Sequence, residues 1–208
     1  MCERDTVGTK LWTTLFELYS QGRARDAERK SDGKEGAEMN VAEAIRTKRA
    51  VRRFGEAPLP QDAIDAILNA GRRSASSKNE QAWEFIAIRD RSMLTALATC
   101  GQWAGHLAGA ALAVAILTPE PSAKFQTMFD AGQVAAFMQL AAWELGVGSC
   151  PASIYEHERA RDLLGFPADW HLRVALSFGY PADAERVAAG PRRGGRRALE
   201  RIVHWERW

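Results

Sequence analysis

The sequence predicts one α+β layered domain beginning near Asn40, and three stretches carry that prediction. Ala111–Leu117 is a continuous apolar run of strand length, as expected for a strand covered on both faces. Leu172, Val174, Leu176 and Phe178 alternate with His171, Arg173, Ala175 and Ser177, the period of a half-buried strand. Between them, roughly Phe125 to Leu145 reads as the longest helix. Val134, Phe137, Met138, Ala141 and Leu145 form its stripe, and Gly146 is its stop signal. Helices and strands alternate unevenly, which fits helices layered on a sheet better than a regular doubly wound fold.

The other elements follow from the same rules. Asn40 is placed to cap a short helix, with Glu43 three residues on and Val41, Ala44, Ile45 and Lys48 along the i, i+3, i+4 stripe. Pro58 and Pro60 close an extended link before a helix whose apolar face is Ile64, Ile67, Leu68 and Gly71. Ser74–Gln81 is a polar loop and Trp83–Arg89 a strand. Asp90-Arg91-Ser92 then turns into a helix carrying Met93, Leu94, Leu97 and Ala98. Pro119 and Pro121 stop the central strand. A further helix runs from about Glu156 to Leu164 with Gly165 behind it, and Gly179-Tyr180-Pro181 ends the last strand. Residues 1–39 differ. From Ser20 to Glu38 alanine is the only apolar side chain, so a flexible N-terminal extension is expected there, with the domain at 40–208.

Bulk properties exclude several function classes. A net charge of +2 gives no reason to expect a nucleic-acid or membrane partner. Cys2, Cys100 and Cys150 have no CxxC spacing, which suits reduced thiols rather than a disulfide scaffold. His106, His157, His171 and His204 lack ligand spacing, so no metal is expected. No run reaches the roughly 18 apolar residues of a spanning helix. A soluble, cytoplasmic protein is expected.

The usual catalytic patterns, among them GxSxG, the P-loop, GxGxxG and HExxH, are missing from the sequence. What remains are anion-friendly and amide-rich loops. Lys48-Arg49-Ala50-Val51-Arg52-Arg53-Phe54 holds four cations in seven residues. Arg192-Arg193-Gly194-Gly195-Arg196-Arg197 is a second basic cluster, whose glycines let backbone N–H groups approach a ligand. Each cluster is equally compatible with a solvated basic surface, or both could converge on one phosphate. Asn79 and Gln81, two residues apart before a strand, offer donors and acceptors that suit a heterocycle edge, and they also suit a plain turn.

Taken in order, these pieces resemble the nitroreductase family of FMN-dependent oxidoreductases. Lys48-Arg49-Ala50-Val51-Arg52-Arg53-Phe54 looks like its R-R-S-V-R-x-F, and Ser76-Ser77-Lys78-Asn79-Glu80-Gln81-Ala82-Trp83 like its S-S-x-N-x-Q-P-W. Asp130 through Gly148-Ser149-Cys150-Pro151 resembles the long central helix ending in L-G-x-G-S. Ser177-Phe178-Gly179-Tyr180-Pro181 matches the G-Y-P strand end, and Gly195 to Trp205 the closing G-R-K-P-L-E-E-I-V-H. The resemblance spans Asn40 to the C-terminus.

It implies an α+β sandwich with a mixed sheet flanked by helices, a homodimer, and FMN at the dimer interface. By position it assigns Lys48, Arg49, Ala50 and Arg52 to the FMN phosphate or ribityl chain, with Arg196 and Arg197 completing the anion site. Asn79, and with it Gln81, would face the isoalloxazine edge, and the backbone around Pro151, Ala152 and Ser153 would donate toward flavin N5 and O4. Ala50 departs from the family serine and removes one hydroxyl; Ala75 and Ala82 stand where prolines are usual. The implied activity is transfer of reducing equivalents from NADH or NADPH to a small electron-poor acceptor such as a nitroaromatic or a quinone. The same fold also hosts flavin breakdown and reductive dehalogenation, and a non-catalytic flavin binder is a further alternative. Among the aromatics, Trp83, Trp103, Phe125, Phe129 and Trp170 are expected to pack in the core; because the resembled family often covers the flavin with its variable middle region, one of Trp103, Phe125 and Phe129 could instead line the substrate pocket.

Overall fold

The computed structural model describes residues 39–120, 122, 124–189 and 195–208. The expected N-terminal extension, apart from Met39, lies outside the described residues, as do Arg192, Arg193 and Gly194 of the second basic cluster. The elements are α1 (Val41–Thr47), α2 (Gln61–Arg72), β1 (Glu84–Ile88), α3 (Arg91–Ala98), β2 (Leu112–Thr118), α4 (Phe125–Glu144), β3 (Gly148–Ser153), α5 (His157–Leu164), β4 (His171–Gly179) and α6 (Ala184–Ala188). Short 3-10 turns cover Ser77–Asn79, Gly105–Gly109 and Leu199–Arg201.

Local chemistry sets the ends of these elements. The Asn40 side chain accepts the Glu43 N–H at 2.9 Å, and Asp90 accepts that of Met93 at 2.8 Å, each satisfying a donor the helix cannot. Beyond α4, Gly146 takes φ +72°, its N–H reaching Trp143 O at 3.0 Å while that of Val147 reaches Ala142 O at 2.9 Å. This is the Schellman arrangement, and it turns the chain directly into β3.

The strands form one sheet in the order β1-β2-β4-β3, every neighbour antiparallel. The mixed sheet implied by the resemblance is therefore corrected. Its parallel component among the described residues is the single bridge Ala50↔Ser149, because the chain after α1 meets β3 for one residue pair before moving on to Pro181. β3 itself was hidden in the sequence, since Gly148 and Pro151 are poor strand formers.

Helices cover both faces of the sheet. Ala113, Ala115 and Leu117 of β2 face a core shared with Leu94 and Leu97 of α3 and Ala160 of α5. Leu112, Val114 and Ile116 face the other core, with Ile64 and Ile67 of α2 and Val134 and Met138 of α4. β4 is accordingly not half-buried: Ala175 and Ser177 are as enclosed as Leu176 and Phe178. Nor does Leu172 share a face with Leu176. The register slips between Ile116 and Leu117, leaving Arg173 as the extra residue of a bulge that sends Leu172 to the opposite core. In α1 only Ala44 is buried, while Val41 and Ile45 face outward. The helix is seven residues long and is tied to α4 at its C-terminal end, where Trp143 Nε1 donates to Thr47 Oγ1 at 2.9 Å.

Candidate functional site

The basic segment after α1 lies along the border of the sheet. Val51 N–H donates to Ser149 O at 2.9 Å, Gly55 N–H to Tyr180 O at 2.9 Å, and Ala182 N–H to Arg53 O at 3.0 Å. Two glycines permit this close approach. A Cβ on Gly148 would come 2.7 Å from the Val51 side chain, and one on Gly179 would come 3.0 Å from the Phe54 ring. The sequence thus lays its cations against β3.

Two of the four cations, Lys48 and Arg52, act electrostatically on Cys150 of β3. Lys48 Nζ donates to Gln139 Oε1 on α4, and Gln139, itself buried, is held by its Nε2–H donating to Ala135 O at 3.0 Å. Burial pushes the Lys48 ammonium below its ordinary pKa. The Cys150 thiol is pushed up by burial, and the nearby Arg52 and Lys48 charges oppose that rise. Arg52 also acts, after burial, to lower the His106 imidazole. Arg49 Nη1 donates to Arg46 O at 2.9 Å and Lys48 O at 3.0 Å, at the end of α1. Its buried Nε and the hydroxyl of the fully enclosed Ser149 have no protein partner among the described residues. Arg196 and Arg197 are exposed, and no hydrogen bond or ion pair among the described residues joins them to Lys48–Arg53.

His106 Nδ1 lies 2.8 Å from Ser177 Oγ, which donates to Cys150 O at 3.1 Å. With the hydroxyl hydrogen so used, the imidazole carries its proton on Nδ1 and donates it to Ser177. Sequence reasoning missed His106, Ser177 and Gln139. Gln139 left one visible signal, an amide inside an otherwise apolar stretch of α4.

The amide pair sits on a loop of unusual backbone. Lys78, Asn79 and Gln81 have φ of 52°, 57° and 48°, left-handed values that non-glycine residues seldom take. Gln81 Nε2 donates to Asn79 Oδ1 at 3.1 Å, joining the two amides into one fork, and its backbone N–H donates to Ser76 Oγ at 3.0 Å. Gln81 also lines a groove of about 630 Å³ between α2 and β1, with Arg72, Trp83 and Phe85.

The backbone donors near Pro151 are fewer than expected. Proline has no N–H. Ile154 N–H donates to Arg173 O at 2.9 Å, so strand alternation turns that of Ala152 toward β4 as well and leaves that of Ser153 facing away. The aromatic expectation divides similarly: Trp83 is buried, but Trp103, Phe125 and Phe129 are 72%, 77% and 66% exposed. The latter two lie on the outward side of α4, which its inward Val134–Met138 stripe leaves uncovered.

Comparison with known proteins adds an independent line. The chain matches the nitroreductase family over residues 45–99 and 100–180. It is 30% identical over 146 residues, 67% of this chain and 84% of the relative, to an Archaeoglobus fulgidus protein provisionally described as an NADH dehydrogenase/NAD(P)H nitroreductase. A solved structure from Clostridium difficile, described as an FMN-dependent nitroreductase, superposes with TM-score 0.68 at 24% identity, covering 79% of this chain and 98% of that one. One from Parabacteroides distasonis, with the same provisional description as the Archaeoglobus protein, gives TM-score 0.70 at 22% identity over 80% of this chain and 98% of its own. These two structures establish the shared fold. No helix among the described residues is long and apolar enough to cross a membrane.

Proposed function

Because the chain belongs to the nitroreductase family, a family of oxidoreductases, we propose that it is an FMN-dependent NAD(P)H oxidoreductase acting as a homodimer on electron-poor acceptors such as nitroaromatics or quinones. The observation that carries this reading is the basic segment Lys48–Arg53 held against β3 by the Val51 N–H to Ser149 O bond, with the Ser149 hydroxyl and Arg49 Nε unpartnered among the described residues. Charged and neutral donors without protein partners fit a phosphate and a hydroxylated chain.

In this reading Lys48, Arg49 and Arg52 hold the phosphate and ribityl chain, alongside the Ala50 backbone. Arg196 and Arg197 add charge to the same anion. The Asn79–Gln81 fork takes the ring edge: with Asn79 Oδ1 engaged, Asn79 Nδ2 is free to donate and Gln81 Oε1 to accept. The outward Ser153 N–H serves the ring centre. When bound, FMN supplies hydride acceptance and donation, which explains why no acid–base pair stands out in the sequence. The relatives' descriptions support the choice of FMN and of a nicotinamide donor. Leu199, Ile202, Trp205 and Trp208 are exposed on the C-terminal segment, apolar surface that a second copy would cover. Residues 40–208 form the flavin-binding domain in this reading and 1–39 an extension to it. The buried free thiols of Cys100 and Cys150 suit a reducing cytoplasm.

The test is a flavin spectrum of the purified protein and its bleaching by NADH or NADPH without oxygen. Joint substitution Arg52→Ala with Arg197→Ala is expected to give folded, largely colourless protein. A fully flavinated double variant would refute the phosphate assignment.

A further inference from the structure

Asp130 has no role in the site described above, yet it is a carboxylate only 8% exposed on the second turn of α4. Buried carboxylates persist where hydrogen bonds hold them. Asp130 Oδ2 accepts the Ser77 backbone N–H at 2.9 Å, a contact across 53 residues of sequence, and Gln133 Nε2 approaches Oδ1 at 3.5 Å.

What this carboxylate grips is the left-handed loop. Three non-glycine residues at positive φ are a costly backbone that persists only when surrounding contacts enforce it. The loop's other bonds are mostly internal: Asn79 N–H to Ser76 O, Glu80 N–H to Ser77 O, and Gln81 N–H to Ser76 Oγ, each at 3.0 Å. These shape the loop but do not attach it to the domain. A second link to the α4 region is the Lys124–Glu80 ion pair at 3.1 Å, whose side chains are 60% and 40% exposed. Exposed pairs of this kind contribute little. Attachment therefore falls on the part-buried, charge-assisted bond to Ser77.

We propose that Asp130 is a positioning residue, whose carboxylate fixes the 76–81 loop in its left-handed form so that Asn79 and Gln81 project as one amide fork toward a bound ring. The part concerning the ring rests on the functional reading above; the part concerning the loop does not. Asp130 touches no cofactor in this account and acts through the Ser77 amide.

The experiment uses full-length protein with Asp130→Ala, Asp130→Asn and Lys124→Ala. It measures hydrogen exchange at Ser77 and its neighbours together with the FMN dissociation constant. Asp130→Ala is expected to speed exchange at Ser77 at least about tenfold and to weaken FMN by a similar factor, the usual effect of losing one charge-assisted bond. Asp130→Asn keeps an acceptor oxygen and should restore most of both, and Lys124→Ala should match the wild type. Unchanged exchange in Asp130→Ala, or an equal effect from Lys124→Ala, would overturn the proposal. Faster exchange with unaltered FMN affinity would uphold Asp130 as the anchor and overturn the ring-edge assignment of Asn79 and Gln81. If Asp130→Ala does not fold, Asp130→Asn decides: a protected Ser77 amide supports the anchor, and a freely exchanging one sinks it.

Discussion

Lys48, where the chain leaves α1, donates to the side-chain oxygen of Gln139, 91 residues later in α4. The bond fixes the start of the basic segment to the longest helix of the domain. It also gives a half-buried ammonium a partner in place of lost water.

Gln139→Leu removes that partner while keeping the volume apolar. The ammonium is then left without its acceptor, a loss of about 1–3 kcal/mol. The change should appear as a lower urea midpoint with an unaltered slope. Gln139→Glu supplies a carboxylate at the same place and should retain most of the stability. Equal midpoints for Gln139→Leu and the wild type would show that Lys48 is satisfied elsewhere.

His106 predicts a pH dependence. Burial, and then the Arg52 charge, holds its pKa below the ordinary 6.5. As pH falls through 6.5 the unfolded chain takes up a proton before the folded one does. Folding stability therefore declines with acidification, from about 6.5 down to the lowered folded value, and levels off once both states are protonated. His106→Gln keeps a donor for Ser177 but cannot titrate. The wild type's unfolding free energy, measured relative to that variant, should fall through this window; a constant difference would contradict the assignment.

Gly148→Ala tests how closely the basic segment lies on β3. The new methyl would meet Val51 Cβ and Cγ2 at 2.7 Å and Cγ1 at 2.9 Å. Overpacking of this kind costs about 1–3 kcal/mol and should lower Tm by several degrees. Adding Val51→Ala to the same chain should recover part of the loss. A Tm indifferent to Gly148→Ala would mean that the segment can lift away from the sheet.

Much of this architecture was legible because it is written locally. Asn40, Asp90 and Gly146 are cap residues acting within a few positions of themselves, and β2 is apolar along its whole length. What stayed hidden depends on partners far away in the chain. Nothing near Leu172 records that β4 bulges at Arg173 against β2, so the strict alternation pointed Leu172 to the wrong core. The exposure of Val41 and Ile45 reflects how little of α1 rests on α4, not the pattern of α1 itself. At the candidate site the Lys48–Arg53 cluster was visible as charge density. Asp130 was not, and Gln139 showed only as an amide in an apolar stretch, because a buried polar residue gains its meaning from the distant group it bonds.

The hold of Val51 on Ser149 has one more effect. β3 is an outermost strand, and a bare outermost strand can template the stacking of other chains into aggregates. Here the Ser149 carbonyl is already taken, Pro151 has no hydrogen to offer a newcomer, and Arg52 and Arg53 put like charge in front of any identical molecule that approaches. This rim of the protein resists self-association by strand addition, whatever else the basic residues do.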